Sequence, residues 1–214
     1  MLSESIATPL RAVLAYCDHS RAQEHVEGYF YDLQGYTLML LAEHGPGIGA
    51  IVEIGSFKGK STCWLAKGAK AARREKVFAI DHFTGSPEHQ KGMPIEDADV
   101  AASGSTFDVF QRNIASMGVS DYVVPIVASS EEAAKAWEKP IRLLFIDADH
   151  SYEASKLDFD LWSPFVVQGG LIALHDIGEW PGVTEFYENE VKGNGNYREL
   201  INVMGLAVVE RNGE

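Results

Sequence analysis

Two short segments concentrate side chains able to hold a cation or move a proton. Phe145-Ile146-Asp147-Ala148-Asp149-His150-Ser151-Tyr152-Glu153 carries two adjacent-but-one carboxylates and an imidazole. Gly169-Gly170-Leu171-Ile172-Ala173-Leu174-His175-Asp176 ends in a second imidazole and another carboxylate. The apolar stretches before them read as neighbouring strands, so Asp147, Asp149, His150, His175 and Asp176 are expected to converge at two strand ends. Carboxylates with a His can hold a divalent cation. Oxygen-rich sets suit Mg²⁺ or Ca²⁺, and an imidazole favours Mn²⁺, Fe²⁺ or Zn²⁺. Such an ion would bind oxygens of an acceptor and lower the pKa of its hydroxyl. The alternative is a metal-free site in which Asp147 only shapes a neighbouring pocket.

A second constellation is Glu53-Ile54-Gly55-Ser56-Phe57-Lys58-Gly59-Lys60-Ser61-Thr62. Gly55 and Gly59 permit a tight turn after a strand and a close backbone approach to a ligand. The helix that follows offers free N–H groups to an anionic group. With Phe57 in the middle, the dinucleotide pattern G-x-G-x-x-G is incomplete. A triphosphate loop is a nearer competitor, since Gly55 and Gly59-Lys60-Ser61 leave three intervening residues where that loop needs four. Phe145-Ile146-Asp147 imitates its companion strand, but Glu53 would set a carboxylate against the phosphates. Asp81 closes Val77-Phe78-Ala79-Ile80-Asp81, 26 residues after Gly55. A carboxylate there accepts from both hydroxyls of a ribose. A ribose with no phosphate at the first turn points to S-adenosylmethionine.

These residues need a scaffold that brings strand ends together. The first 46 residues read as helical, with Leu10, Val13, Leu14 and Cys17, then Leu38, Leu41 and Ala42, at helical spacing. An aromatic segment, Gly28-Tyr29-Phe30-Tyr31, lies between them. From Ala50 strands and helices alternate. Strands are expected at 51–54, 77–80, 122–127, 141–146 and 171–174, with helices at about 60–73, 107–117, 131–137 and 152–162. A further helix closes at 186–191, and a hairpin runs around Val203 and 207–209. The polar stretch 82–104 is a long loop, read as a lid or a mobile insertion. Strict alternation with continuous apolar strands predicts an α/β fold: a Rossmann-like, seven-stranded, mostly parallel sheet, helices on both faces, the last strand antiparallel. Ligands of such sheets lie beyond the carboxyl ends of the strands. The expected organisation is an N-terminal helical arm, 1–46, and one domain, 47–214.

Composition narrows the function. The chain has 214 residues and a formal net charge of −13, with hydrophobic residues at 46%. That balance fits a soluble globular protein and argues against a nucleic-acid-coating role, which needs clustered Lys and Arg. No apolar run approaches the ~18 residues of a membrane span. Cys17 and Cys63 imply no disulfide framework, and Met1-Leu2-Ser3-Glu4-Ser5 lacks the start of a secretory signal, so the cytoplasm is expected.

The segment Glu53 to Ser61, in its E-x-G-x-x-x-G-x-S form, resembles motif I of the class I S-adenosylmethionine-dependent methyltransferases, and of their small-molecule O-methyltransferases in particular. The D-x-D-H-x-Y-E and G-G-x-x-x-x-H-D segments resemble a branch related to macrolide-sugar and catechol O-methyltransferases. The resemblance spans about residues 25 to 190 and implies the roles that follow. Gly55 and Phe57 line the methionine part of the cofactor, Glu53 lies close to it and Ser61 near its carboxylate. Asp81 holds the ribose with His82 beside it, Ser129 and Ser130 sit by the adenine, and Asp147 borders the pocket. A Mg²⁺ or Mn²⁺ ion would take Asp147 and the His175-Asp176 pair, where relatives carry acidic or amide ligands. A lysine is the base in the catechol relatives, and here Asp149 or His150 takes its place, the imidazole because its ordinary pKa is about 6.5. The implied activity is methyl transfer to an oxygen of a small-molecule acceptor, with neither nucleic acid nor membrane as partner. The arm would cap the site or join a homodimer. A nucleotide hydrolase built on the phosphate-loop likeness, a non-catalytic S-adenosylmethionine-binding module, and another chemistry on the same fold are the competing readings.

Overall fold

A computed structural model describes residues 4–213, with side chains from residue 7; residues 1–3 of the expected arm and residue 214 of the expected domain lie outside the described residues. The arm consists of α1 (Glu4–Gln23) and α2 (Asp32–His44). There follow β1 (Ala50–Ile54), α3 (Lys60–Ala72), β2 (Val77–Asp81), α4 (Ala98–Ser103), α5 (Phe107–Ser116), β3 (Val123–Val127) and α6 (Ser130–Lys135). Then come β4 (Ile141–Ile146), α7 (Tyr152–Trp162), β5 (Val166–Leu174), α8 (Pro181–Phe186), β6 (Tyr197–Val203) and β7 (Leu206–Arg211).

The seven strands form one sheet in the order β3-β2-β1-β4-β5-β7-β6. All neighbours from β3 to β5 pair in parallel. The last strand, β7, runs antiparallel to both β5 and β6, as expected. Strand order reverses between β1 and β4, whose ends are in register at Ile54 and Ile146. That switch point opens a crevice beyond the carboxyl ends.

Alternation along each strand divides the core between two faces. Ile51, Leu143 and Phe145 pack beneath α2, α3 and α5, around Leu38, Trp64, Leu65 and Phe110. Val52, Ile54, Leu144 and Ile146 face α7 and α8, around Phe159, Trp162 and Phe186. Double-sided burial explains why the central strands are uninterrupted apolar runs.

The two arm helices differ. α2 belongs to the core: Gly35 lies flat on Trp64, and a Cβ there would sit 2.1 Å from the indole nitrogen. Its last turn is anchored by Arg142 of β4, which is fully buried and donates to the carbonyls of Leu41, Ala42 and Gly45 while pairing with Glu75 at 3.0 Å. α1 lies outside it, with Tyr16 edge-on to Tyr36 and His19 tilted against Tyr36 and Trp64.

Three elements depart from the sequence reading. The stretch 82–104 contains a 3₁₀ turn, Pro87–His89, and α4, whose N-terminus is capped by the Asp97 carboxylate accepting from the N–H groups of Asp99 and Val100. β5 starts at Val166 instead of Leu171, because the register jump between Ile141 and Leu143 accommodates Gly169 and Gly170 within one strand. The helix closing near Val191 is α8, started by Pro181, followed by a wider π turn over Tyr187–Val191.

Candidate active site

The turn after β1 is set by Gly55, at φ +86°. A Cβ here would lie 1.9 Å from the carbonyl oxygen of Asp147, so only glycine lets the first loop press against the end of β4. Asp81, at the end of β2, holds this loop: one carboxylate oxygen accepts from the N–H groups of Ser56 (2.8 Å) and Phe57 (2.7 Å), the other from Phe83. Glu53 lies beneath the turn, fully buried, and does not reach the cavity wall. Its carboxylate accepts from the hydroxyls of Ser56, Ser61 and Thr62. Burial outweighs these bonds and pushes its pKa up to about 7.

Above the loop opens a cavity of about 910 Å³. It is walled on one side by Gly55, Phe57, Ser61, Asp81 and His82, and along β3 and α6 by Ser129 and Ser130. The other side is Asp147, Asp149, His150 and Asp176. Every expected cofactor residue except Glu53 therefore borders one cavity, together with both expected catalytic residues. Ser129 also caps α6, and Ser130 accepts from the Trp162 indole at 2.8 Å. Asp149 caps the next turn by accepting from Ser151 N–H. Asp158 of α7 joins this wall beside Ser130, where burial pushes its carboxyl up to about 6.

The cluster at the ends of β4 and β5 is densely paired. Nδ1 of His175 lies 3.0 Å from Asp147 and 3.1 Å from Asp176. Burial alone would depress this imidazole, but the two carboxylates outweigh it and push the pKa up to about 10. His150 sits between Asp176 (Nε2, 2.9 Å) and Glu88 (Nδ1, 2.7 Å), its ring stacked on Trp180 at 4.3 Å. The same contest, with burial opposed by carboxylates, leaves His150 raised. Asp176, against burial, is held well below the usual carboxylate range by both imidazoles. Asp147, His175 and Asp176 each present a ligand atom, all within 4.8 Å of one another.

Other wall residues escaped the sequence reading. Lys58, almost fully buried, clamps the 82–104 stretch through Asp97 (2.7 Å) and Asp99 (2.6 Å), and also reaches Glu27. His89 stacks on Tyr29 at 5.5 Å and on Phe57 at 4.7 Å, and those two rings lie 6.0 Å from each other. Their residue types gave no signal at short range, because each contact joins segments far apart in the chain. The aromatic segment around Tyr29 was the one visible hint, and it does meet the first loop.

The fold has known counterparts. A family model described as "Methyltransferase domain" matches residues 52–177. The O-methyltransferase from Bacillus cereus, solved in complex with SAH, is 17% identical, with 100% of this chain and 93% of that one covered at a TM-score of 0.61. The O-methyltransferase TomG from Streptomyces achromogenes, involved in tomaymycin synthesis and solved with SAM, is 16% identical over 100% of both chains at 0.60. The O-methyltransferase NovP is 15% identical, covering 85% and 79% at 0.65. At these identities the solved structures show a shared fold, and the family match, which takes in the first loop, Asp81 and the whole β4–β5 cluster, shows the family: the chain belongs to the methyltransferases.

Proposed function

We propose that the protein transfers a methyl group from S-adenosylmethionine to an oxygen of a small molecule. The observation that carries this reading is the single cavity joining the Gly55–Asp81 side to the Asp147–His150–Asp176 side. It can hold a nucleoside sulfonium and an acceptor next to each other. The family match supports methyl transfer, and the O-methyltransferases of like fold support oxygen as the acceptor atom. On this reading the acceptor oxygen attacks the methyl carbon in line, the carbon–sulfur bond breaks, and the sulfonium leaves as a neutral thioether. Holding the reactants in that geometry is worth about 7–11 kcal/mol of the barrier. Asp149, or His150 once its Nδ1 has passed its proton to Glu88, takes the hydroxyl proton, a contribution of about 10²–10⁴ in rate.

The donor set Asp147, His175 and Asp176 fits a divalent cation such as Mg²⁺ or Mn²⁺, with Nδ1 as the nitrogen ligand. Such an ion would make the acceptor hydroxyl more acidic. The test is a panel of hydroxylated small molecules incubated with methyl-labelled S-adenosylmethionine, with and without EDTA. Label bound to an acceptor oxygen is the expected result. Loss with EDTA and recovery with Mg²⁺ or Mn²⁺ would support the cation, whereas full activity in EDTA would remove it from the reading. A panel in which label goes only to nitrogen or carbon contradicts O-methyl transfer.

The arm supports a homodimer. α1 exposes Leu10, Val13 and Leu14, and α2 exposes Leu33 and Leu40. Sedimentation at micromolar concentration should give a dimer, and Leu14→Glu a monomer. No helix among the described residues is long and apolar enough to cross a membrane. The exposed free thiol of Cys17 fits a reducing compartment such as the cytoplasm.

A further inference from the structure

Gln34 is fully buried in α2, 141 residues from the cluster it touches. Its amide nitrogen donates to the carbonyl of Met204, in the turn between β6 and β7, at 2.6 Å. The amide oxygen is therefore the atom that faces inward. It accepts from Tyr31 N–H at 3.0 Å and lies 3.0 Å from Nε2 of His175. A carbonyl oxygen only accepts, so Nε2 must carry a proton. We propose that Gln34 is a positioning residue for methyl transfer: it fixes the proton on Nε2 of His175 and so turns Nδ1 toward Asp147 and Asp176.

The orientation follows from what surrounds the ring. On its Nδ1 side stand Asp147 Oδ1 at 3.0 Å and Asp176 Oδ1 at 3.1 Å. On its Nε2 side the ring meets Gln34. The Phe30 ring, from the same arm, lies over its face at 4.7 Å, and Phe145 flanks it at 6.4 Å. His175 is itself buried, so water does not replace a lost partner. An apolar residue 34 would leave the buried Nε2–H of His175 unpaired, a penalty that burial makes large. It would also free the ring to turn over. With Gln34 in place, Nδ1 points one way, whether it donates to the two carboxylates or ligates a cation between them. This is the arrangement by which an outer hydrogen bond fixes the orientation of a working imidazole. The arm is then part of the reaction centre, since it sets the group that spaces Asp147 and Asp176 beside the acceptor.

The inference rests on the methyl-transfer reading, and its test is separable from it. Nitrogen-15 NMR of the histidine rings should show, in the unaltered protein, a slowly exchanging proton on Nε2 of His175. Gln34→Leu should abolish that signal and lower kcat about 10–100-fold, the usual effect of removing such a partner. Affinity for S-adenosylhomocysteine should stay as it was. Gln34→Glu keeps an acceptor oxygen and should retain the protected proton and more of the activity than Gln34→Leu. Absence of the protected proton in the unaltered protein overturns the proposal. So does Gln34→Leu with signal and kcat intact, or with cofactor affinity falling as far as kcat. If Gln34→Leu fails to fold, the unaltered protein and Gln34→Glu decide it, and loss of the proton in Gln34→Glu counts against it. Failure of the unaltered protein to bind S-adenosylhomocysteine would strike the methyl-transfer reading and with it the kcat comparison, whereas the ring proton, observed without cofactor, would still decide whether Gln34 orients His175.

Discussion

Asp81 has two tasks at once. Its carboxylate ties down the N–H groups of Ser56 and Phe57, and on the proposed reading it also accepts from the ribose hydroxyls. Asp81→Ala removes both, so S-adenosylhomocysteine binding should weaken by about 1.5–3 kcal/mol, the range for bonds to a charged group. Unchanged affinity in calorimetry would show that the ribose is held elsewhere. Glu53 makes a pH prediction. Its carboxyl is at about 7 in the folded chain against an ordinary 4.5, so between those values the folded state holds a proton the unfolded state has lost. Stability from this group is then greatest at low pH and falls as pH rises from about 4.5 to 7. Glu53→Gln should gain about 2 kcal/mol on the original protein between pH 5.5 and 8, measured by urea unfolding. A constant difference would mean that Glu53 ionises normally. At this scale the sequence pointed to residues that a strand end places on the cavity: Gly55, Asp81, Asp147, His150 and Asp176. Gln34, Lys58 and Glu88 were hidden, because a glutamine in a helix or a lysine in a loop looks solvated until its partner segment arrives. Glu53 was visible as an acid at the first turn, but not that three hydroxyls within nine residues would draw it under the loop.

Elements are fastened by buried charges as much as by apolar faces. Arg142 holds the end of α2 to β4, and Arg142→Met would take its donors from the carbonyls of Leu41, Ala42 and Gly45 and leave Glu75 with Arg74 alone. Breaking a buried pair in this way should cost about 3–5 kcal/mol in urea unfolding; a loss under 1 kcal/mol would show the pair to be hydrated. Lys58 does the same for the 82–104 stretch. Lys58→Met leaves Asp97 and Asp99 without their cation, so amide exchange should quicken across residues 85–103 and stay unchanged in β4. Exchange that stays slow would show that the aromatic stack of Tyr29, His89 and Phe57 is sufficient. The alternation of strands and helices was legible because period and length both signal it. α4 was not: it has six residues and no apolar stripe, and only its Asp97 cap marked it. The early start of β5 was masked by Gly169 and Gly170, which read as a break and are absorbed at an irregularity in register.

For the whole molecule, strand order decides where chemistry can occur. The reversal between β1 and β4 sets Gly55 against Asp147, so the expected cofactor and acceptor groups share one cavity. That much followed from the sequence, since alternating units imply a switch point and the polar residues fall after the strands. The depth at which α2 enters the core did not follow, because its apolar face meets α3 through Gly35 and Gly68 and its contacts are all tertiary. The central claim is that this cavity binds S-adenosylmethionine at the Gly55–Asp81 side. Calorimetric titration of the purified protein with S-adenosylhomocysteine, and in parallel with ATP, tests it most directly. The account predicts one saturable site for S-adenosylhomocysteine and no heat with ATP. Binding of ATP without any binding of S-adenosylhomocysteine would contradict it.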